Sequence, residues 1–452
     1  MTRPRPARRP APAALVAAGA LCLAPALAPV ARLRAQPPAV VPPANAAEAT
    51  RHGFSVARLA RLDSALEQAA ARGEVGGAVA LVLRDGATVY ERAVGWADRE
   101  AGRRMTPDAV FRIASQTKAL TSVAAMTLVE EGRLTLDTPV SRFVPAFART
   151  TVAVRTDTGR AVVPAARPIT VRDLLTHTAG ISYGTDSLVA PLYAARGLGP
   201  AAGWGWYTAD KAEPVCATVE RLASLPFVAQ PGARWVYGYN TDVLGCVVER
   251  AAGAPLDRVL AERVTGPLGM RDTHFFLPPA DRARLVAVYA SAGAPDAPRV
   301  ARAPGGPRGQ GDYADGPRQN FSGGAGLLST ARDYARFLEA LRRGGMLGSA
   351  RVLGPRTVAL MTTNQTDTLF SRSGEGFGLG FQTLERAGAR GRVESVGTFG
   401  WGGAYGSTYE VDPAEGLVLV FMLNQLPNTS DLAARFPALV YQALVEPRRP
   451  AR

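Results

Sequence analysis

Lysine is almost absent from this sequence, although basic residues are not. Of the 52 basic side chains in 452 residues only two are lysines, Lys118 and Lys211, and the others are arginines. A guanidinium group stays protonated at any working pH, whereas an amine removed from water can lose its proton and act as a base. In a chain that uses arginine for its positive charges, a lysine can mark work that arginine cannot do. Lys118, three residues after Ser115, is therefore a candidate for proton transfer.

Histidine and cysteine are also scarce, and their positions argue against a metal centre. The three histidines, His52, His177 and His274, lie far apart in the sequence. Neither Cys216 nor Cys246 has the neighbouring ligands of a zinc site, and no motif requires a metal or another cofactor. These two cysteines, which lie beyond the apolar N-terminal run that contains Cys22, can pair in an oxidising compartment, but their spacing does not decide between a disulfide and two free thiols.

The sequence lacks a concentrated basic stripe despite its formal net charge of +14. Its arginines occur singly or in pairs among acidic residues, without interleaved aromatic side chains. This distribution favours a solvated surface over a nucleic-acid groove. With 47% hydrophobic residues, the chain can bury a large core in one domain or in two closely associated ones.

The N-terminal segment has no acidic residue before Glu48 and no apolar run long enough to cross a membrane. Four arginines precede an apolar run from Ala11 to Ala28 that prolines interrupt. A membrane span needs about 20 apolar residues, so the pattern favours a cleaved export signal over a stable membrane anchor. We expect the signal to cover residues 1–28, with cleavage as late as residue 35, and the mature protein to be periplasmic or secreted.

The order of predicted elements indicates an α+β fold whose antiparallel sheet is built from both chain ends and flanked by helices. Residues 36–50 are predicted to be a flexible linker, residues 51–446 the folded domain with a mostly helical lobe at about 170–345, and residues 447–452 a loose tail. The patterns predict a first helix at residues 55–73 and a hairpin of strands 78–83 and 88–94. They also predict late strands at 393–399, 407–411 and 417–424, and a last helix at 432–445.

The motif Ser-Gln-Thr-Lys at residues 115–118 is predicted to open a helix that runs to about residue 131. From Ala119 to Val129 nearly every position is apolar or small, which is typical of a helix buried on all sides. Positions i and i+3 share a helix face, so we expect the amine of Lys118 to lie over the hydroxyl of Ser115. Burial would desolvate the amine, and the free amides of the helix N-terminus would face developing negative charge. The spacing predicts a nucleophile in contact with its activator.

Two further segments accompany this motif. Residues 235–245 (Trp-Val-Tyr-Gly-Tyr-Asn-Thr-Asp-Val-Leu-Gly) form a turn before an apolar helix, and residues 400–406 (Gly-Trp-Gly-Gly-Ala-Tyr-Gly) begin a glycine-dense strand. The order Ser-x-x-Lys, tyrosine turn, glycine-rich strand resembles that of the penicillin-recognising serine hydrolases, which comprise class C β-lactamases, DD-peptidases and family VIII carboxylesterases. The resemblance extends from about Phe54 to Leu444 and includes residues 174–180, 241–245 and 321–327.

The resemblance implies a β-lactamase/DD-peptidase-like fold and assigns roles to individual residues. Ser115 resembles the acylated nucleophile, Lys118 its general base, and Tyr237 the partner that passes the proton to the leaving group. The backbone amides of Ser115 and Ala404 correspond to the oxyanion hole, a device that contributes about 3 kcal/mol. Free lysine and tyrosine have pKa values near 10, so both need a dry and mutually close setting to act at neutral pH.

Two departures from the family pattern favour esters as substrates. The Tyr-x-Asn motif of the lactamases and peptidases is Tyr237-Gly-Tyr239 here, and their Lys-Thr-Gly is Trp401-Gly402-Gly403. Aromatic rings thus replace both the amide that holds a lactam and the cation that holds a substrate carboxylate. We expect Tyr239, Trp401, Gly402 and Gly403 to line a site for small neutral acyl groups. The resemblance therefore implies a carboxylesterase, although a β-lactamase, a D-alanyl-D-alanine carboxypeptidase or an acyltransferase would use the same residues.

A second serine motif and a non-catalytic role are the alternatives. Gly-Ile-Ser-Tyr-Gly at residues 180–184 fits the Gly-x-Ser-x-Gly elbow of α/β-hydrolases, but that elbow follows a strand, and a helix is predicted before this segment. We expect His274 to be a packing residue and His177 to make a structural hydrogen bond. A non-catalytic envelope-binding protein on the same scaffold would have lost one of Ser115, Lys118 and Tyr237, and all three are present.

Overall fold

The computed structural model describes residues 46–199, 208, 211–294, 297–303 and 318–448. The predicted export signal and most of the predicted linker lie outside these residues. The last part of the linker, which we expected to be flexible, is helical instead, because Ala46–Arg51 form a helix with Ala49 buried against the domain. This stretch contains alanine and no proline, and alanine is the best helix former.

Sixteen strands lie within the described residues, and half of them belong to one sheet. They are β1 (Gly77–Arg84), β2 (Ala87–Asp98), β3 (Arg103–Arg104), β4 (Phe111–Arg112), β5 (Thr151–Thr156), β6 (Gly159–Pro164), β7 (Tyr289–Ala294), β8 (Ala297–Arg302), β9 (Leu328–Ser329), β10 (Met346–Leu347), β11 (Ala350–Arg351), β12 (Glu375–Phe377), β13 (Gln382–Leu384), β14 (Phe399–Gly402), β15 (Thr408–Asp412) and β16 (Leu417–Leu423). The main sheet has eight strands in the order β12-β13-β14-β15-β16-β1-β2-β3, and its pairs are antiparallel. The predicted fold class, an antiparallel sheet assembled from both chain ends, is confirmed.

The helices flank this sheet and form the lobe beside it. They are α1 (Ala46–Arg51), α2 (Val56–Ala71), α3 (Thr117–Glu130), α4 (Val171–Leu175), α5 (Ala190–Ala195), α6 (Val215–Ala223), α7 (Asn240–Ala252), α8 (Leu256–Leu260), α9 (Ala331–Arg342), α10 (Pro355–Met361) and α11 (Leu432–Tyr441). The region predicted to be a helical lobe contains α4 to α9, and it also contains the hairpin of β7 and β8, which the sequence patterns did not indicate. Cys216 on α6 and Cys246 on α7 form a disulfide, which the spacing had left open.

Strand β1 is buried on both faces and joins the two ends of the chain. It pairs with β2 on one side and with β16 on the other. Because successive side chains of a strand point to opposite faces, Val79 and Leu81 pack in the core that contains α3 and α9. Ala78 and Ala80 pack in a second core with α2 and α11. The sheet therefore separates two hydrophobic layers, and α3 lies in the larger one.

Most predicted elements are present, and one is wrong. Ser55 caps α2 by accepting a hydrogen bond from the Arg58 amide at 3.3 Å, and the predicted hairpin is β1 and β2. The strand predicted at residues 393–399 is wrong, because the strand begins only at its last residue. Val393 and Val396 are about half exposed, at 53% and 52%, and the chain turns at Gly397, whose φ is +88°.

The chain end that we predicted to be a loose tail is held at its start. The backbone amide of Arg448 donates to Glu415 Oε2 at 2.9 Å, and its guanidinium contacts the Asp85 carboxylate. The Glu446 carbonyl accepts from the Arg84 guanidinium at 2.9 Å. These contacts fasten the C-terminal residues to the turn between β1 and β2, so the end of the chain is part of the fold through residue 448.

Candidate active site

Ser115 lies on a tight turn directly before the buried helix. Ala114–Gln116 form a 3-10 turn, and α3 begins at Thr117, two residues later than the sequence predicted. Ala114 has φ +44°, in the left-handed region that residues with a Cβ rarely adopt. Such backbone strain clusters at functional sites, where the surrounding structure holds it. Ser115 is 6% exposed, so its hydroxyl is largely withdrawn from water.

Lys118 brings its amine to three oxygen atoms. Nζ lies 3.1 Å from Ser115 Oγ, 3.0 Å from the Tyr183 hydroxyl and 2.7 Å from the Gly324 carbonyl oxygen. The side chain is 3% exposed. The sequence predicted the contact between Lys118 and Ser115, and the structure brings the two side chains together. It also surrounds the amine with a hydroxyl and a carbonyl that the motif did not reveal.

Tyr183 is the site residue that sequence reasoning missed. It belongs to the Gly-Ile-Ser-Tyr-Gly segment at residues 180–184, where the pattern drew attention to the neighbouring serine. Ser182 is buried and accepts a hydrogen bond from the Gly184 amide at 3.1 Å, in a loop that no strand precedes. Burial, together with nearby Tyr237 and Asp242, holds the pKa of the Tyr183 hydroxyl well above 10. Tyr183 therefore faces Lys118 as a neutral hydroxyl.

Tyr237 lies beside the amine but bonds to a different partner. Its ring centroid is 4.7 Å from Lys118 Nζ, so the amine lies over the ring face. Its hydroxyl accepts a hydrogen bond from Trp401 Nε1 at 3.1 Å. Within the described residues no hydrogen bond joins Lys118 to the Tyr237 hydroxyl. The two groups are neighbours, as the sequence predicted, and the indole of Trp401 fixes the direction of the phenol.

An aromatic wall continues outward from Tyr237. Trp235 stacks on Tyr237 with ring centroids 5.6 Å apart, and Trp401 lies 5.5 Å from Tyr237. Phe370 and Phe377 complete the cluster, at 4.9 Å and 5.6 Å from Trp235. The two phenylalanines come from a segment that carried no motif, so only the folded chain reveals them. At Trp401 the wall presents an aromatic ring where the related motif carries a lysine.

Tyr239 takes a different place from the one expected. The sequence suggested that it lines the substrate site, but it is 2% exposed and its hydroxyl accepts from the Gly199 amide at 3.0 Å. Its ring packs edge to face against Tyr183 at 4.8 Å. Tyr239 therefore packs against Tyr183 inside the fold and does not line the substrate site.

The glycine pair brings β14 against the turn that carries Ser115. A Cβ on Gly403 would lie 2.5 Å from the Ile113 carbonyl oxygen, so only glycine permits this approach. Gly402 and Gly403 are partly exposed, as is Ala404. The amide of Ala404 has no hydrogen-bond partner among the described residues, and it follows the point of closest approach. The end of β14 thus offers an unused donor beside the serine turn.

Comparison with known proteins assigns the chain to a family. The family model described as Beta-lactamase matches residues 62–444. The chain belongs to the beta-lactamase family. It is 36% identical over 379 residues to "Esterase EstB" of Burkholderia gladioli, covering 81% of this chain and 90% of that protein. It is 31% identical over 408 residues to "Lovastatin esterase" of Penicillium rubens, covering 82% and 95%.

Solved structures of beta-lactamase-like proteins agree with this assignment. The structure of "EstCE1, a hydrolase with promiscuous acyltransferase activity" superposes with a TM-score of 0.71 at 31% identity, covering 87% of this chain and all of that one. Together with the family match, these relatives identify the chain as a serine hydrolase of the beta-lactamase family. The resemblance stated from the motifs is confirmed, and so is its prediction of an enzyme.

The histidine nearest the beta-lactamase-family site is structural. His177 has φ +57° and is buried between Trp235, Tyr237 and Phe377. Burial, reinforced by the nearby Lys118 amine, lowers the pKa of His177 well below 6.5, so its ring is neutral. The Asn240 side-chain amide donates to His177 Nδ1 at 3.0 Å. His177 therefore makes a structural hydrogen bond and packs behind the aromatic wall.

Among the residues that the structure describes, no group of three or more histidine, cysteine, aspartate or glutamate side chains is arranged to hold a metal ion. In the same part of the chain, no helix has both the length and the apolar character of a membrane span.

Proposed function

We propose that this serine hydrolase cleaves small neutral carboxylic esters through an acyl-enzyme on Ser115. The observation that carries the proposal is the 3.1 Å contact between Lys118 Nζ and Ser115 Oγ in a site where both side chains are almost fully buried. A nucleophilic serine needs a base within hydrogen-bond reach, and the amine is the base that this geometry offers.

The partners of Lys118 support a role as proton acceptor. An unprotonated amine has two hydrogens and one lone pair. The Gly324 carbonyl can only accept, and the Tyr183 hydroxyl accepts the second hydrogen. The lone pair is then left facing the hydroxyl hydrogen of Ser115. Ser115 Oγ attacks the ester carbonyl carbon while its proton passes to Nζ, and the C–O bond of the ester breaks as the tetrahedral intermediate collapses.

Tyr237 and the end of β14 support the rest of the cycle. Because the Tyr237 oxygen already accepts from Trp401, its own hydrogen stays free to be donated to the leaving alkoxide, and Lys118 beside it resupplies the proton. The amides of Ser115 and Ala404 would hold the oxyanion during both acylation and hydrolysis by water. The free Ala404 amide beside the serine turn supports this assignment.

The aromatic wall supports neutral esters over anionic lactams and peptides. Trp401 occupies the position of the cation that grips a substrate carboxylate in the lactamases, and its indole bonds Tyr237 instead. The curated relatives include proteins named as esterases. Acyl transfer to an alcohol is the second candidate, because an apolar wall favours an alcohol over water as acceptor and EstCE1 is described as having promiscuous acyltransferase activity.

Two serine variants test the assignment. We expect wild-type protein to hydrolyse p-nitrophenyl butyrate much faster than nitrocefin and to be labelled by a fluorophosphonate probe. Ser115→Ala should abolish labelling and lower ester turnover by about 10⁴-fold or more, because the covalent route is lost. Ser182→Ala is the matched control in the other serine motif, and it should keep both the labelling and the ester turnover. Labelling that survives in Ser115→Ala and disappears in Ser182→Ala would overturn the assignment.

We also propose that the protein is exported. The basic and apolar leader at residues 1–28 supports this, and so does the disulfide between Cys216 and Cys246, since disulfides persist in oxidising compartments. Expression of the full chain followed by cell fractionation should place the processed protein outside the cytoplasm. An unprocessed product that stays in the cytoplasm in a host with a working export system would contradict the proposal.

A further inference from the structure

Two sequence segments that resemble the family pattern have little role in the chemistry described so far. They are residues 241–245, at the start of α7, and residues 321–327, of which only the Gly324 carbonyl has been given a role, as an acceptor of the Lys118 amine. In the folded chain they meet beneath Lys118. Asp242, in the first turn of α7, is 1% exposed, and its Oδ1 accepts from Ser322 Oγ at 2.6 Å and from the Gly324 amide at 3.1 Å.

The contact between these segments continues to the amine through one peptide group. The Ala325 amide donates to Ser322 Oγ at 3.2 Å, and the Gly324 carbonyl of the same peptide accepts from Lys118 Nζ at 2.7 Å. An unbroken series of hydrogen bonds therefore leads from Lys118 through the Gly324–Ala325 peptide and Ser322 to Asp242. Bonds arranged in series polarise one another, so each acceptor strengthens the next donor.

The packing leaves this peptide little freedom. A Cβ on Gly324 would lie 2.4 Å from Asp242 Oδ2, and one on Gly323 would lie 2.7 Å from the Thr241 carbonyl oxygen. The Gly323 carbonyl also accepts from Thr121 Oγ1 at 2.8 Å, one turn of α3 beyond Lys118. The segment is thus seated on α7 on one side and on α3 on the other, with Asp242 as its buried anchor.

We propose that Asp242 is a positioning residue that acts through Ser322 to hold the Gly324 carbonyl against Lys118, so that the lone pair of the amine points at Ser115. The inference rests on the proposed function, because it assigns a support to the proposed base. Burial raises the pKa of Asp242 above its usual range, despite the opposing hydrogen bond from Ser322 and the nearby Lys118 amine. The two contacts themselves require an acceptor oxygen at the position of Oδ1.

Side-chain variants separate this role from general stabilisation. Asp242→Ala removes the acceptor, Asp242→Asn keeps an acceptor oxygen of the same reach, and Ser322→Ala cuts the series at its middle. Asp63→Ala is the control, because Asp63 is another buried aspartate that accepts from a hydroxyl, that of Tyr90 at 2.8 Å, beside the core on the other face of the sheet, where it also pairs with Arg92 at 3.7 Å. Thermal unfolding of each variant establishes that it is folded.

The measurements are the rate of fluorophosphonate labelling at Ser115, located by peptide mass spectrometry, and kcat and KM for p-nitrophenyl butyrate. We expect Asp242→Ala to lose about 100-fold in labelling rate and kcat, and Ser322→Ala about tenfold, with KM changed by less than about threefold. Asp242→Asn should stay within about threefold of wild type, and Asp63→Ala should keep its rates although it is less stable.

The opposite pattern overturns the proposal. The proposal is wrong if Asp242→Asn is as slow as Asp242→Ala, or if Ser322→Ala has wild-type rates. It is also wrong if the variants change only KM. If Asp242→Ala does not fold, the comparison of Ser322→Ala with Asp242→Asn decides, since the proposal requires Ser322→Ala to be the slower of the two. A wild-type protein that is not labelled at Ser115 overturns the proposed function itself, whereas labelling at Ser115 with normal rates in Ser322→Ala overturns only the role of Asp242.

Discussion

At the scale of single residues, the two lysines of the chain differ in the groups that surround the amine. Lys118 is buried among three oxygens beside Ser115, whereas Lys211 donates to the Gly197 carbonyl at 2.6 Å away from the serine. Each lysine makes a short contact to a carbonyl oxygen, but only Lys118 also contacts the hydroxyl that is deprotonated in the proposed reaction. The rarity of lysine pointed to a function because it singled out this residue.

Exchanging each lysine for arginine tests this interpretation. We expect Lys118→Arg to lose about 10³-fold in kcat on p-nitrophenyl butyrate, because arginine keeps the charge but cannot accept the proton of Ser115. Lys211→Arg should keep most of the activity, since it only has to donate a hydrogen bond. Steady-state kinetics of both variants provide the measurement. More than about a tenth of wild-type kcat in Lys118→Arg would show that the amine is not the base.

At the scale of elements, the five-residue helix α4 holds the turn on which His177 packs against Tyr237. So short a helix is marginal by itself and depends on its cap. Asp173 and Thr170 form a capping box, and Arg167 donates to both carboxylate oxygens of Asp173 at 2.6 and 2.8 Å. Thr178 donates to the same carboxylate at 3.1 Å. One aspartate thus fixes both the start of the helix and the turn that follows it.

The charge of Asp173 makes this support dependent on pH. Burial alone would raise its pKa, but hydrogen bonds from Arg167 and Thr170 outweigh that effect, so the pKa lies below 3.8. A carboxyl group whose pKa is lowered by folding stabilises the folded state at pH values above its ordinary pKa. This stabilisation is lost as the pH falls through the folded-state pKa. We expect Asp173→Asn to lower the free energy of unfolding by about 2 kcal/mol at pH 7.

Urea unfolding of wild type and Asp173→Asn across a pH series checks this expectation. The difference between the two proteins should be constant near neutrality and should shrink as the pH is lowered below 3.8. A difference that persists unchanged in acid would mean that the carboxylate charge contributes nothing and that only the shape of the side chain matters.

At the scale of the whole molecule, Arg84 connects both ends of the folded chain. It is 5% exposed, and its guanidinium donates to the His52 carbonyl at 2.7 Å, to the Glu446 carbonyl at 2.9 Å and to Glu415 Oε2 at 3.1 Å. These acceptors lie at the end of α1, just beyond α11 and in the turn before β16. One buried cation therefore joins the first and last elements of the domain.

Replacing this arginine should destabilise the protein without altering the chemistry. We expect Arg84→Met to lower the free energy of unfolding by about 3–5 kcal/mol, because it leaves Glu415 buried without its partner. Arg258→Met is the matched control, since Arg258 forms an exposed pair with Glu262 and should change stability by less than about 0.5 kcal/mol. Denaturant unfolding gives both values. Equal stability of the two variants, or a changed kcat for Arg84→Met at a temperature where it is folded, would contradict this view.

The comparison of sequence with structure shows which interactions are local enough to predict. Ser115 and Lys118 are three residues apart, so helical geometry alone places them together. Tyr183 reaches the same amine from a loop 65 residues away, and no pattern specifies that approach. Tyr239 was misplaced for the same reason, since the motif gives its neighbours along the chain but not the direction in which the turn sends its side chain.

The sheet shows the same difference between contacts that are local in sequence and contacts that are not. Strands β1 and β2 are adjacent in sequence and their hairpin was predicted, whereas β12 and β13 are three residues each and were missed. Phe377, at the end of β12, contributes to the aromatic wall only because β13 pairs with β14 and brings that strand beside Trp401. Short strands of this kind are recognised by their partners and not by their own sequence.

Strand β1 leaves the ribosome long before β16, the strand that later covers one of its edges. All eight of its residues are buried in the finished sheet. Until β16 is added, the hairpin of β1 and β2 therefore exposes an unpaired apolar edge that can pair with other chains. Trp401 and Ala404 are also synthesised late, so a nascent or prematurely ended chain contains Ser115 and Lys118 without the wall or the second amide. Such a chain lacks two parts of the proposed ester site, so we expect activity to arise only once translation is nearly complete.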